Sequence, residues 1–509
     1  MADSIAHWFG WGLYPPARRT ARRTQTPAGT GWRCRSDFIA VIASRIIVKS
    51  GTKRANSSGV PPVLFRTGRA QPLRYRDSGD AVKQTKDVFG ITTELRPGAY
   101  VDRGQLDEKL RRYLDRDQHL ALRGSSKSGK SWLRQRILPD AIVIQCRYGH
   151  SVIELYKLAL NELGLRLEVT STSTSSFEGS ISADAEVGIK LLAKVRASLG
   201  LKAAKSETTT SEPAMAAVND LQVIAQLIKL SGRRLVIEDF HYLAISERKW
   251  LASDLKAFWE YGLYVVVIGI WSQNNMLLNF NPDLRGRLRE VPISWTEDEL
   301  REVLEKGSAD LKLEFSKEIT SRLTKDSYGN VGILQALTLG LLDEVGVTEE
   351  QATLTAVSDT EALDWASMEY SEQLVPVFQA FATNVAAGIR KRKNATAIYA
   401  HALAAVIEQE DAALIAGVSV DSIYEIAHER EPRIQKGNLK TALGNLESLQ
   451  VDEEARGLVL AFNPTQYEVT VVDRDLLFYR KYQTVQWPWA DLVRESKASE
   501  PGTVADDDE

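Results

Sequence analysis

The chain has 509 residues, 44% of them hydrophobic and 26% charged, which suits two to four globular domains and excludes a disordered, collagen-like or membrane chain. Its two cysteines, Cys34 and Cys146, exclude a disulfide scaffold and a cysteine zinc site, and point to a reducing, cytoplasmic setting. The net charge of -3 divides unevenly: residues 1–80 carry 14 Lys and Arg against 4 Asp and Glu, so the remainder is acidic and has no whole-molecule attraction for nucleic acid.

In chain order, residues 1–85 do not read as a domain. They hold the pairs Arg18-Arg19 and Arg22-Arg23, scattered Pro and Ser, and an apolar run, Phe38 to Val48, too short to span a bilayer. A disordered or spurious extension, a targeting segment and a basic module all fit this composition. No Met follows Met1 until Met215, so a start at a codon such as that of Val82 is a further reading. From residue 86 the pattern changes. An amphipathic helix is predicted over Leu106 to Leu114, a strand over His119 to Arg123, then a Gly-rich loop and a helix over Lys130 to Leu138. A strand over Ala141 to Cys146 and a helix over Val152 to Leu163 complete a βαβα order, which calls for a parallel sheet flanked by helices. The Ser/Thr runs of residues 168–214 predict a mobile surface insertion around a segment, Val187 to Leu199, of helical or paired-strand character. The sheet resumes with a helix at Ala217 to Leu230, a strand at Arg234 to Asp239, a helix at Lys249 to Tyr261, a strand at Tyr264 to Ile270 and a fifth strand at Glu290 to Ile293. Helices at Glu297 to Lys306, Phe315 to Lys325 and Val331 to Val345 predict a helical lid over residues 296–347. A polar stretch follows. Residues 361–492 are expected to form a helical domain ending in two strands, and 493–509 an acidic disordered tail.

Four stretches carry chemistry. Gly124-Ser125-Ser126-Lys127-Ser128-Gly129-Lys130-Ser131 matches the phosphate-binding pattern G-x-x-x-x-G-K-[ST], with a strand before it and a helix after it. Gly124 and Gly129 let the backbone turn its N–H groups toward phosphate oxygens, and the helix N-terminus adds positive potential. Lys130 places an ammonium on the outer phosphates, and the Ser131 hydroxyl is suited to Mg²⁺. The acids Glu238 and Asp239 end the apolar run Leu235-Val236-Ile237. Emerging beside the loop, Glu238 is suited to the Mg²⁺ shell and Asp239 to polarising a water, and either carboxylate fits either part. After the next strand, Ser272, Gln273 and Asn274 are candidates to reach an outer phosphate or the water; an ordinary polar loop also fits them. Arg285 and Arg287 could reach a nucleotide held by a neighbouring subunit, or be surface arginines on a short helix.

This constellation resembles the AAA+/STAND superfamily of P-loop ATPases, including its origin-recognition-like branch, over roughly residues 90–345. The resemblance rests on the phosphate loop, on Val236 to His241 and on Asp283 to Arg287, followed by Trp295 to Leu300. It implies an α/β fold, with a P-loop NTPase αβα core on a parallel sheet, a helical lid and a C-terminal winged-helix-like domain. It implies ATP and Mg²⁺ as ligands and self-association through the core. Two departures stand out: Glu238 precedes Asp239 where the usual order is Asp first, and Tyr328 to Gly332 has no arginine where the lid often offers one.

The C-terminal region resembles a winged helix, with helices at Ser419 to Arg430 and Asn438 to Leu449 and strands at Gly457 to Phe462 and Tyr467 to Val472. Leu439, Ala442, Leu443, Leu446 and Leu449 form its buried stripe. The opposite face carries one positive charge, Lys440. Asp411 to Gln483 holds 8 basic against 12 acidic residues, so packing or protein contact is expected there rather than phosphate binding. Arg390 to Lys393 is the one compact basic cluster outside the N-terminus, and Trp487-Pro488-Trp489 suits a hydrophobic clamp or a partner contact. Two functions are therefore expected, while Glu238 and Asp239 speak against a third, a nucleotide-binding scaffold without useful turnover. One is an ATP-driven switch in bacterial signalling or defence, or one that loads a protein partner. The other is an initiator-like or transposition-helper ATPase acting on double-stranded DNA.

Overall fold

The computed structural model describes residues 82–96, 98–172, 177–183, 186–198, 216–218, 221–271, 273–389, 396–450 and 457–498. Most of the basic N-terminal extension, the Arg390 to Lys393 cluster and Ser272 lie outside the described residues.

The core begins with α1 (Leu106–Leu114), β1 (His119–Arg123), α2 (Lys130–Ile137), β2 (Ile142–Gln145) and α3 (Val152–Asn161). After an inserted segment it continues with α5 (Leu221–Leu230), β6 (Leu235–Glu238), α6 (Ile245–Glu260), β7 (Val265–Gly269) and β8 (Leu288–Pro292). The five strands make one wholly parallel sheet in the order β2-β6-β7-β1-β8. Their near-continuous apolar runs follow from burial on both faces, as parallel sheets require. The two-residue period sorts them. Leu120, Leu122, Val236, Val266 and Ile268 pack on one face with α1 and α2, around Leu110 and Leu133. Ala121, Leu235, Ile237, Val265 and Val267 pack on the other with α3, α5 and α6. This is the P-loop NTPase α/β fold expected from the sequence. Local signals set its helix starts: at α3, Ser151 Oγ accepts from Glu154 N while the Glu154 carboxylate accepts from Ser151 N. Such a reciprocal cap is worth about 1 kcal/mol.

The segment expected to be a mobile insertion carries structure in its described part. Strands β3 (Leu165–Thr172), β4 (Phe177–Ala183) and β5 (Ala216–Val218) form an antiparallel sheet, and α4 spans Glu186–Ser198. Leu165, Leu167, Ile181, Leu192 and Val195 are buried in the same core as α3 and α5. Composition alone missed this sheet because buried Leu165, Leu167 and Ile181 alternate with Arg166, Glu168, Ser180 and Ser182, so one face is buried while the average stays polar.

The segment expected as a lid comprises α7 (Glu297–Leu311), β9 (Leu313–Phe315), α8 (Lys317–Asp326) and α9 (Val331–Glu344). The polar stretch after it holds a short strand, β10 (Thr355–Val357), parallel to β9. Then come the 28-residue α10 (Thr360–Ala387), α11 (Ile398–Ile407), α12 (Asp411–Ala416), β11 (Val418–Ser419) and α13 (Val420–Arg430). The chain continues through α14 (Lys436–Gly444), α15 (Leu446–Gln450), β12 (Leu460–Asn463), β13 (Glu468–Val471), α16 (Asp475–Tyr482) and α17 (Trp489–Ala498). Strands β11, β13 and β12 form an antiparallel sheet in that order. Lid and C-terminal helices share one apolar core, in which Leu334 and Leu341 of α9 join Leu363 and Phe378 of α10 and Leu477 and Phe478 of α16.

Two sequence expectations change here. The helix predicted over Asn438 to Leu449 is broken at Asn445 into α14 and α15. The break lets buried Gln450 turn onto β12, where its Oε1 accepts from Val459 N (2.9 Å) and Leu460 N (2.8 Å) and its Nε2 donates to Leu460 O (2.8 Å). The tail expected from residue 493 is helical through Ala498, because Leu492 and Val493 pack against the C-terminal core. The stacked rings of Trp487 and Trp489, 4.4 Å apart, lead into this helix, and Trp489 is buried. No helix among the described residues is long and apolar enough to cross a membrane.

Candidate functional site

Because β1, β6 and β7 are parallel neighbours, the loops after them emerge on one edge of the sheet. The Gly124–Ser131 loop joins β1 to α2, Glu238 ends β6, and residues 270–274 follow β7. This is the edge at which α/β sheets bind ligands. A cavity of about 460 Å³ opens there, lined by Ser126 to Ser131, Glu238, Asp239, Gln145, Arg103 and Trp295, among others.

The loop has the strained backbone that its glycines permit. Gly129 has φ of +82°, and Lys127 also lies in the left-handed region at +55°. A Cβ on Gly124 would come within 2.6 Å of the Ile293 carbonyl oxygen, so only glycine fits against β8 there. Lys130 turns back into the loop. Its Nζ donates to the carbonyls of Gly124 (3.1 Å) and Ser125 (2.5 Å) and to Ser128 Oγ (3.3 Å). Burial of the ammonium pushes its pKa down to about 8, against the opposing pull of Asp239 and Glu238. A bound polyphosphate would restore the charge and raise that pKa again. Binding above about pH 8 should therefore take up a proton, and affinity should fall by up to about tenfold per pH unit. Titration calorimetry in buffers of different ionisation enthalpy at pH 7 and 9 measures this; equal proton uptake at both would contradict it.

Both acids border the cavity. Glu238 is buried, and its Oε1 accepts from Arg134 Nε of α2 at 3.1 Å. Asp239 occupies a left-handed turn, φ +55°, directly after the strand. Its Oδ2 accepts from Gln145 Nε2 at 2.9 Å. A non-glycine residue in that conformation carries strain, and here the strain turns the second acid out of the strand line. Ser131 is exposed at the N-terminal turn of α2 and lines the same cavity.

Several residues of the site have no motif to announce them. Arg103 is buried, stacks 4.3 Å from the centre of the Trp295 ring, and donates from Nη1 to Ser128 O (3.1 Å). Trp295 Nε1 donates to the same carbonyl at 3.0 Å. Asn330, at the start of α9, donates to Ser126 O at 2.8 Å. A Cβ on Gly332 would meet Lys127 Cβ at 2.4 Å, so glycine lets the lid helix lie directly on the loop. The arginine-free stretch Tyr328 to Gly332 is thus a backbone-packing contact. Lys127 Nζ donates to Asp475 Oδ2 (3.0 Å) in α16, and Asp475 Oδ1 accepts from Tyr370 OH (2.9 Å) in α10.

The other predicted residues are placed as follows. Asn274 accepts from Arg123, the last residue of β1, and Arg123 Nε donates to Glu290 at 2.8 Å. Glu290 also accepts from Trp271 Nε1 and Asn275 N, which shapes the loop after β7. Arg285 and Arg287 are not brought to the cavity. Arg287 precedes β8 and its carbonyl accepts from His119 N, at the opposite edge of the sheet from the phosphate loop. Its guanidinium stacks 4.5 Å from the Trp259 ring centre, and Arg285 is exposed. In its own chain neither arginine reaches the loop.

A polyphosphate fits these residues. The 460 Å³ cavity is lined by the loop residues Ser126 to Ser131, Lys130 among them, and by Arg103, whose Nε is buried without a hydrogen-bond partner. Among the described residues no group of three or more His, Cys, Asp or Glu could hold a metal ion. A divalent ion would therefore take most of its oxygens from phosphate and water, as Mg²⁺ commonly does.

No family model and no curated protein matches the sequence. Among solved structures the chain is similar to the Walker-type ATPase PABY2304 of Pyrococcus abyssi, at 15% identity over 77% of this chain and 99% of that one, with a TM-score of 0.46. It is similar to the Aeropyrum pernix ORC1 protein in complex with DNA, at 11% identity over 78% and 95% of the two chains, TM-score 0.34. It is also similar to the STAND protein PH0952 of Pyrococcus horikoshii, which has a tetratricopeptide repeat sensor, at 13% identity over 79% and 46%, TM-score 0.31.

Proposed function

We propose that the chain binds ATP with Mg²⁺, hydrolyses it, and uses the nucleotide state to set how its C-terminal helices sit on the ATPase core. The observation that carries this reading is the contact of Lys127, inside the phosphate loop, with Asp475 and through it Tyr370. A second tie, Arg248 to Glu447 at 2.6 Å, joins the segment after β6 to α15. Any rearrangement of the loop is then felt at α10 and α16.

In this reading loop N–H groups and the N-terminus of α2 hold the phosphates, and Lys130 places its charge on the outer ones. The aromatic face of Trp295, backed by Arg103, suits the base. Ser131 and Glu238 would hold the Mg²⁺ shell, which when bound draws charge off the outer phosphates. Asp239 accepts the proton of the attacking water, with Gln145 fixing its carboxylate. Arg285 and Arg287 would act only on the nucleotide of a neighbouring subunit, which self-association would have to supply.

Between the C-terminal helices and DNA the charge pattern favours a protein partner. Arg430 pairs with Glu408, Arg433 with Glu431, Lys436 with Asp421 and Lys481 with Asp326; Arg480 pairs with Asp411, and Lys440 covers the Tyr467 ring. Phosphate contacts would have to break these pairs. The test is ATP turnover with and without double-stranded DNA at two salt concentrations. Turnover indifferent to DNA is expected. Stimulation that fades with salt would instead support the initiator-like reading, and absence of turnover under both conditions would sink the ATPase reading.

A further inference from the structure

Two carbonyls of the Gly124–Ser131 loop are gripped by side chains from outside it. Trp295 Nε1 and Arg103 Nη1 both donate to Ser128 O, at 3.0 and 3.1 Å, and Asn330 Nδ2 donates to Ser126 O at 2.8 Å. The donors come from three separate places in the chain. Arg103 precedes α1, Trp295 follows β8, and Asn330 starts α9. Arg103 and Asn330 are buried, and the Arg103 guanidinium stacks on the Trp295 ring, so the donors are themselves held in place.

A carbonyl and the N–H of the next residue belong to one planar unit, and in a trans peptide they point in opposite directions. Fixing Ser128 O therefore fixes Gly129 N–H, and fixing Ser126 O fixes Lys127 N–H. Both units sit in backbone that needs such support. Gly129, at φ +82°, has no Cβ to bar a flip of the peptide before it. Lys127, at φ +55°, holds a conformation that is strained for a residue with a side chain. Among the described residues neither N–H donates to a backbone carbonyl. A flipped unit would present an oxygen where a polyanion needs a donor, so the orientation of these two peptides decides whether the loop attracts or repels phosphate.

We propose that Trp295 and Asn330 are positioning residues of the phosphate loop: by pinning the carbonyls of Ser128 and Ser126 they set the Gly129 and Lys127 N–H groups toward the phosphates before a ligand arrives. Neither side chain touches phosphate in this role, and Arg103 assists as the second donor on Ser128 O. The proposal rests on the nucleotide-binding reading above. It gives Trp295 a task that is separate from any contact of its ring with the base.

The test is calorimetric titration of the full chain with Mg²⁺ and either ATP or tripolyphosphate, which has no base. The variants are Trp295→Phe, which keeps an aromatic ring and removes the donor, and Asn330→Ser, which keeps an N-cap oxygen for α9 and removes the amide. Neither substitution changes a charge, so a lost affinity for a base-free polyanion reports on the backbone. Each variant should lose about 3- to 10-fold in tripolyphosphate affinity, the scale of one hydrogen bond, and the same factor for ATP, at wild-type melting temperature. Should one variant melt early, the other decides the matter, because the two serve different carbonyls. Unchanged tripolyphosphate affinity in a variant of wild-type stability overturns the proposal. So does a loss for ATP alone in Trp295→Phe, which would leave the ring to the base. Wild type binding neither ligand would overturn the nucleotide-binding reading itself, a result distinguishable from the others because it needs no variant.

Discussion

Lys130→Ala should abolish nucleotide binding while leaving the fold intact. The ammonium is the one side-chain cation that the loop encloses, held by its own carbonyls at Gly124 and Ser125. Its depressed pKa shows that the site desolvates the charge, a cost that phosphate oxygens would offset on binding. Removing it leaves the outer phosphates facing Glu238 and Asp239 without the lysine charge of the loop. An affinity loss of about 100-fold or more is expected, the scale of a buried charge-assisted contact together with the repulsion left behind. Calorimetric titration with ATP and Mg²⁺ reads it, with the melting temperature as the folding control. An affinity within threefold of wild type would mean that the cavity is not a phosphate site.

Asp239→Asn should leave ATP affinity within a few-fold and lower turnover by about 10² to 10⁴, the range for losing a positioned general base. The two acids can be separated because their surroundings differ. Glu238 is buried and engaged by Arg134 Nε, whereas Asp239 is turned out of the strand line and held by neutral Gln145. A carboxylate already engaged by an arginine is less free to take up a water than one held only by an amide. Glu238→Gln should therefore raise the Mg²⁺ concentration needed for half-maximal turnover more than it lowers the maximal rate. Steady-state kinetics over a Mg²⁺ series distinguishes the pair. If Asp239→Asn turns over normally and Glu238→Gln is dead at saturating Mg²⁺, the roles are exchanged.

The phosphate loop and the two acids were legible because both are written within a few residues of chain. Gly124, Gly129 and Lys130 are constrained by backbone geometry and one charge, and Leu235 to Asp239 carries its burial and its chemistry in a single run. Arg103, Trp295, Asn330 and Asp475 left no such signal. Each is a common residue whose role appears only when a distant element meets the loop, and Asp475 touches Lys127 across 348 positions of sequence. The arginines of Asp283 to Arg287 show the reverse case. They are expected to serve the nucleotide of a neighbouring subunit, and in their own chain the parallel pairing of β8 with β1 places Arg287 at the far end of the strands from the phosphate loop.

Periodicity and local backbone chemistry thus specified the strand–loop–helix units of the core, since alternation, glycine placement and capping act over two to eight residues. The inserted sheet escaped them because its few buried residues alternate with polar ones in a stretch rich in Ser and Thr. The break at Asn445 escaped them because it serves Gln450, whose partners are on β12. Strand order, the union of lid and C-terminal helices in one core, and the seating of Asp475 against the phosphate loop arise from long-range packing. There, apolar area buried between elements far apart in the chain, rather than any local pattern, selects which surfaces meet.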